Sequence, residues 1–96
     1  MTLGNYTFYG PYDPNGTFTT DFGAVYAIID DTPKVLDVGQ TSSVNSRIPF
    51  HDRKECWDRN KTGMAHLYVF VNSSEQDRVQ IEQSIRRLYN PVCGIQ

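Results

Sequence analysis

Four side chains spread along the chain, Tyr26, Arg47, His51 and Glu82, have the types that hydrolysis of a phosphodiester needs. A tyrosine hydroxyl held beside a cation can act as a phenolate-like base or position a water for attack on phosphorus. A guanidinium such as that of Arg47 can grip a non-bridging phosphate oxygen in a bidentate manner. His51, four residues on, can shuttle a proton or hydrogen-bond the nucleophile. Glu82 offers a single carboxylate, and one carboxylate with waters and substrate phosphate is the usual way to hold magnesium.

Each of these residues also has a plainer reading. Tyr26 lies within an apolar run, where a tyrosine commonly packs in the core with its hydroxyl on a backbone carbonyl. Arg47 and His51 share a face only if the segment between them is helical. Glu82 is either a boundary carboxylate paired with Arg78 or Arg86 at i±4, or a partly buried ligand for one hard cation. Further candidates are less specific. Gly39 and Thr41, in the loop that runs on to Ser43, and Arg53 and Lys54 are expected to contact substrate. A turn with a helix cap accounts for the loop equally well. Asp30 and Asp31 beside Thr32-Pro33 read as loop residues, and His66 reads as structural.

The elements that must position these groups follow from pattern. Residues 22–29 form an apolar strand ended by Asp30-Asp31-Thr32-Pro33, which disfavours continued pairing. Residues 34–38 form a second strand, and the short loop makes the pair an antiparallel hairpin ending at Gly39. A helix is predicted from Val44 through the His51 region, its start complicated by Pro49, and a second helical piece over residues 53–59. Residues 66–71 alternate as a third strand. Ser73 and Gln76 have capping-box spacing and open the clearest helix, with Ile81, Ile85 and Leu88 as its apolar stripe and an end near Tyr89-Asn90-Pro91. Residues 1–21 read as an irregular, aromatic-rich arm with a short strand or hairpin, and Asn15-Gly16 is a hairpin-type turn signal. The expected whole is one α/β (α+β) domain of 96 residues on a small, at least partly antiparallel sheet, with residues 22–94 as its core.

The net charge of −2 is unevenly divided. Residues 1–46 hold five acids and one base, whereas residues 47–96 hold eight bases and six acids. A phosphate-facing surface would therefore come from the second half, with weak and salt-sensitive affinity for nucleic acid. The longest apolar run is too short to span a bilayer, so no membrane partner is expected, and the N-terminus has no secretory pattern. Cys56 and Cys93 match neither a zinc spacing nor a disulfide framework and read as two reduced thiols in a cytoplasmic protein.

Taken together, the ordered parts resemble the GIY-YIG nuclease domain. That family has a strand ending in Gly-Ile-Tyr and, about eleven residues from the tyrosine, a second ending in Tyr-Ile-Gly. An arginine follows about eight residues later, often with a histidine four further on. A metal-binding glutamate on a later helix and a Pro-x-x-Asn-like ending complete the pattern. Here Ala24-Val25-Tyr26 and Asp37-Val38-Gly39 stand for the two motifs, Arg47 is eight residues past Gly39, His51 follows by four, and Glu82 lies in Ile81-Glu82-Gln83-Ser84-Ile85. The likeness covers residues 22–94. It departs at three places: Ala24 replaces the first glycine, Asp37 replaces the second-motif tyrosine, and Gly94 stands where the terminal asparagine would fall.

The resemblance implies a three-stranded antiparallel sheet with flanking helices and a metal-dependent DNA endonuclease. One Mg²⁺ (or Mn²⁺) would sit on Glu82 and Arg47 would hold the scissile phosphate. Tyr26, helped by His51, would deprotonate or position the water. Asp37 would either take over a ligand or base role or repel the substrate. DNA is the implied partner, with a protein partner supplying specificity. The alternative is a nuclease-like domain that has lost catalysis and serves as a nucleic-acid or protein interaction module. An unrelated α/β interaction domain is the remaining reading.

Overall fold

The apolar run around Tyr26 becomes the central strand of a four-stranded sheet. In the computed structural model, which describes residues 1–94, strand β4 (Ala24–Asp30) is buried at every position. It pairs antiparallel with β5 (Val35–Thr41) on one side and β6 (Ala65–Val71) on the other. Both faces of the sheet are covered, so β4 reads as a continuous apolar run instead of an alternating one. Ala24, Tyr26 and Ile28 face a core closed by Val44, Ile48 and Trp57. Val25, Ala27 and Ile29 face a second core closed by Ile81, Ile85, Leu3 and Phe8.

Three helices flank this sheet among the described residues: α1 (Val44–Arg47), α2 (Lys54–Asn60) and α3 (Glu75–Tyr89). The α+β class and the antiparallel hairpin are as expected. The sheet, however, is wider than three strands, because β3 (Tyr9–Tyr12) of the arm adds to the β6 edge, giving the order β3-β6-β4-β5. The rest of the arm forms a small antiparallel pair, β1 (Thr2–Leu3) with β2 (Tyr6–Thr7). Leu3 and Phe8 are buried, so the arm is part of the core. Asn15-Gly16 makes a turn, with Gly16 N–H donating to the Asp13 carbonyl at 3.1 Å, but joins no hairpin.

Several boundaries move. The strand through Gly39 continues to Thr41 because Tyr26 pairs across from Gly39 and Ala24 from Thr41. The helix expected through His51 stops at Arg47, ahead of Pro49, so Arg47 and His51 do not share a continuous helix. Its cap is Ser43, whose hydroxyl accepts from the Ser46 N–H at 3.3 Å. Helix α3 is capped by Ser74, accepting from Asp77 N–H at 3.2 Å, one residue later than the Ser73 expected. Leu88 is mostly exposed, and the buried stripe of α3 is instead Arg78, Ile81 and Ile85. Arg78 is buried because its guanidinium is engaged: it donates to Gln40 Oε1 at 3.1 Å and to the Asn72 carbonyl at 3.0 Å, pinning α3 to the end of β5.

The cysteine reading is overturned. Cys56 of α2 and Cys93 of the C-terminal tail form a disulfide across 37 residues. Asn90, in the left-handed conformation, ends α3 and turns the tail back, and Cys93 N–H bonds to the Leu36 carbonyl at 2.9 Å. That return brings Cys93 to α2, and with it the cytoplasmic expectation loses the support it drew from free thiols. No helix of the described residues is long and apolar enough to cross a membrane.

Candidate active site

Strand register brings the first two groups together. Tyr26 on β4 lies opposite Gly39 on β5, and a side chain at Gly39 would run into the Tyr26 ring and hydroxyl. Gly39 thus leaves the space into which the hydroxyl extends, and it is there that the hydroxyl meets His51 Nε2 at 2.6 Å. His51 lies in the turn between α1 and α2 and packs against Trp57, with ring centroids 4.7 Å apart. Its Nδ1 accepts the Arg53 backbone N–H at 3.1 Å. We therefore assign the ring proton to Nε2, which makes His51 the donor and the Tyr26 oxygen the acceptor. The Tyr26 proton remains available for a different acceptor.

Burial governs the titration of this pair. Tyr26 is pushed up to about 12 by burial, opposed by the nearby Arg53 and Arg47 charges. Burial, reinforced by Arg47 and Arg53, lowers His51 to about 4. Both rings are therefore neutral at pH 7. Arg47 lies beside the Tyr26 hydroxyl, and at its outer side it pairs with Asp52 at 2.9 Å. The Arg47 hydrogen bond holds the Asp52 carboxyl below the usual carboxylate range.

Asp37 is held by a full set of donors. It is fully buried on the same sheet face as Tyr26. Its Oδ2 accepts from Arg53 Nε and from Trp57 Nε1, each at 2.8 Å; its Oδ1 accepts from one terminal nitrogen of Arg53 at 3.2 Å and from Arg86 at 2.7 Å. Four donors fill the lone-pair sites of a carboxylate. Nothing is left for a metal or a water proton, so the ligand or base role considered for Asp37 is corrected to that of an anchor. Arg86 also donates to the carbonyls of Val38, Cys93 and Gly94. Gly94 has φ +76°, and a side chain on it would meet the Arg86 guanidinium, with Arg53 Nε 3.0 Å away.

Glu82 differs in having no ion-pair or hydrogen-bond partner among the described residues. Both arginines that could pair with it at i±4 are engaged elsewhere: Arg78 with Gln40 and Asn72, and Arg86 with Asp37 and the tail. Burial raises the Glu82 carboxyl above its ordinary value, opposed by the Arg86 and Arg53 charges. Arg53 and Asp37 act electrostatically on both Tyr26 and Glu82. No group of three metal-ligating side chains exists among the described residues. A cation here would have Glu82 as its single protein ligand. An unpaired, half-buried carboxylate suits a hard ion that keeps most of its waters.

The remaining sequence candidates make contacts within the fold. The Thr41 hydroxyl bonds to the backbone of Ser43 and shapes the α1 cap. Lys54 reaches back to Asn15 of the arm, and Arg53 is committed to Asp37. As expected, His66 serves the structure, pairing with Asp31 at 2.6 Å. Sequence reasoning missed Trp57, Arg86 and Asp52. Only Asp52, next to His51 and five residues from Arg47, had a local signal. Against known families, curated proteins and solved structures alike, the chain shows no match.

Proposed function

We propose that the chain is a metal-dependent endonuclease of the GIY-YIG type that hydrolyses DNA phosphodiester bonds. The observation that carries this reading is the buried 2.6 Å contact between Tyr26 and His51, in the space left by Gly39 and beside Arg47. The unpaired Glu82 supports it. Arg47 binds the scissile phosphate once that anion displaces Asp52. A phenol at about 12 is ionised in only about one molecule in 10⁵ at pH 7. Tyr26 therefore acts by position, donating its O–H to the phosphate or the incoming water while His51 Nε2–H orients its oxygen. Mg²⁺ or Mn²⁺ on Glu82 would neutralise charge on the phosphate and acidify a water.

The second reading, a nuclease-like interaction module without catalysis, is favoured by one observation. Tyr26 is only 1% exposed, so its hydroxyl is closed to substrate in this conformation. Cleavage of supercoiled plasmid and of a branched oligonucleotide with Mg²⁺ or Mn²⁺ separates the two. The endonuclease nicks, and both EDTA and Glu82→Ala abolish nicking without loss of fold, since Glu82 holds no structural bond. Absence of cleavage by folded protein with either metal overturns the catalytic reading.

A further inference from the structure

The guanidinium of Arg86 is shared between the sheet and the tail. Its Nη2 donates to Asp37 Oδ1 at 2.7 Å and to the Val38 carbonyl, both in β5. Its Nη1 donates to the Cys93 and Gly94 carbonyls, each at 3.3 Å. Those two acceptors are held in place by the disulfide to α2, alongside the bond from Cys93 N–H to the Leu36 carbonyl at 2.9 Å. Glu82 lies one helical turn before Arg86 on α3, and the Arg86 charge is the first to oppose the effect of burial on its carboxyl. A glutamate four residues ahead of an arginine is in the favourable order for an ion pair, and the tail takes the nitrogen that would make it. The two sulfurs are not equally open. Cys93 is 0% exposed, whereas Cys56 is half-buried and its Sγ accepts from Asn60 Nδ2 at 3.5 Å, a donor that favours the thiolate.

We propose that Cys56 is a thiol–disulfide exchange site whose redox state decides whether Arg86 Nη1 serves the tail or Glu82. The thiolate of a dithiol reductant attacks Cys56 Sγ; the Cys56–Cys93 bond breaks, and its electron pair leaves on Cys93, which takes a proton. The reductant's second thiol then attacks the mixed disulfide, releases Cys56 and departs with its own two sulfurs joined. The chain gains two electrons and two protons. Freed from α2, the tail withdraws its carbonyls, and Nη1 turns to the Glu82 carboxylate while Nη2 stays on Asp37. A small-molecule disulfide reverses the sequence and strips Glu82 of its partner. The consequence for a metal ion on Glu82 rests on the endonuclease reading above; the exchange of partners does not.

The test follows urea unfolding of the full chain, oxidised and in dithiothreitol, each with and without Glu82→Gln. The substitution lowers the folding constant of the reduced chain about two- to fivefold, the range of a solvent-accessible ion pair, and does not lower that of the oxidised chain. The double variant Cys56→Ser, Cys93→Ser matches the reduced chain without reductant. Glutathione added to the oxidised chain leaves its mixed disulfide on Cys56, located by peptide mapping. An equal effect of Glu82→Gln in both states overturns the proposal, as does an adduct on Cys93. A reduced chain without folded circular dichroism also overturns it, since the bond is then a permanent staple. Titration with Mn²⁺ keeps the two readings apart. No Mn²⁺ binding in either state, with the Glu82→Gln difference present, removes the metal and leaves the switch standing. Equal Mn²⁺ affinity in both states, lost in Glu82→Gln, keeps the metal and overturns the switch.

Discussion

Replacing Asp37 by asparagine separates an anchor from a catalyst. The substitution keeps the shape and one acceptor oxygen, but turns an NH₂ group toward nitrogen donors of Arg53, Arg86 and Trp57. It also strips the counter-charge from two guanidiniums that are 28% and 21% exposed. Removing one partner of a buried ion pair costs about 3–5 kcal/mol. Partial hydration of the two arginines places this case at the lower end, about 3 kcal/mol. A domain of this size is stable by about 5–15 kcal/mol in total. With about 4–8 °C of Tm per kcal/mol, the midpoint should fall by about 12–24 °C. Urea unfolding followed by circular dichroism, at matched ionic strength, reads the loss directly, with m unchanged. A variant within about 1 kcal/mol of wild type that has nonetheless lost activity would refute the anchor and restore Asp37 as a reacting group.

Reducing the Cys56–Cys93 disulfide should destabilise the chain by about 4 kcal/mol, the chain-entropy value for a loop of this length; a loss under about 1 kcal/mol in dithiothreitol would mean that the tail holds itself. His51 should impose a pH dependence of known sign. Its folded value of about 4 lies below the ordinary 6.5, so the unfolded chain takes up a proton first and stability falls as pH drops from about 6.5 toward 4, by up to about 1.4 kcal/mol per unit. Denaturation midpoints across that window should flatten in His51→Gln, and an unchanged slope would assign the effect to other groups. Asp52→Asn should free Arg47 from its exposed pair and tighten binding of a phosphodiester up to about fivefold, the ceiling for a surface ion pair; weaker binding would show that Arg47 does not hold the phosphate.

What the sequence carried was local. The hairpin of β4 and β5, with Gly39 falling opposite Tyr26, follows from a short polar turn between two apolar runs, and α3 follows from its cap and periodicity. The partnership of Tyr26 with His51 was expected only through the family resemblance, and the local reason given for His51's position was wrong. The turn after α1 delivers His51, where a continuous helix was expected. The parts that escaped depend on chain segments far apart in sequence. Strand β3 meets β6 across more than fifty residues, and no feature of Tyr9–Tyr12 alone announces an edge strand. The disulfide depends on the tail turning back after Asn90. Glu82 reads as half of an i±4 ion pair until Arg78 and Arg86 are seen to be taken by tertiary partners.

The two departures from the GIY-YIG pattern that looked damaging belong to one cluster. Asp37 puts a buried carboxylate in the middle of β5, and a lone buried charge there would be costly. Arg53 from the start of α2 and Arg86 from α3 neutralise it, and Trp57 supplies the remaining donor. Those guanidiniums need room, and Gly94 leaves it: the tail's carbonyls accept from Arg86 at 3.3 Å where a side chain would collide with it. The disulfide then clamps that tail to the helix that carries Trp57. Asp37 and Gly94 are thus coupled halves of a structural ion cluster, and each makes sense only with the other. The cluster engages Arg53 and Arg86, whereas Glu82 has no hydrogen-bond or ion-pair partner among the described residues. The carboxylate of Asp37 therefore braces the sheet on the face that also carries Tyr26.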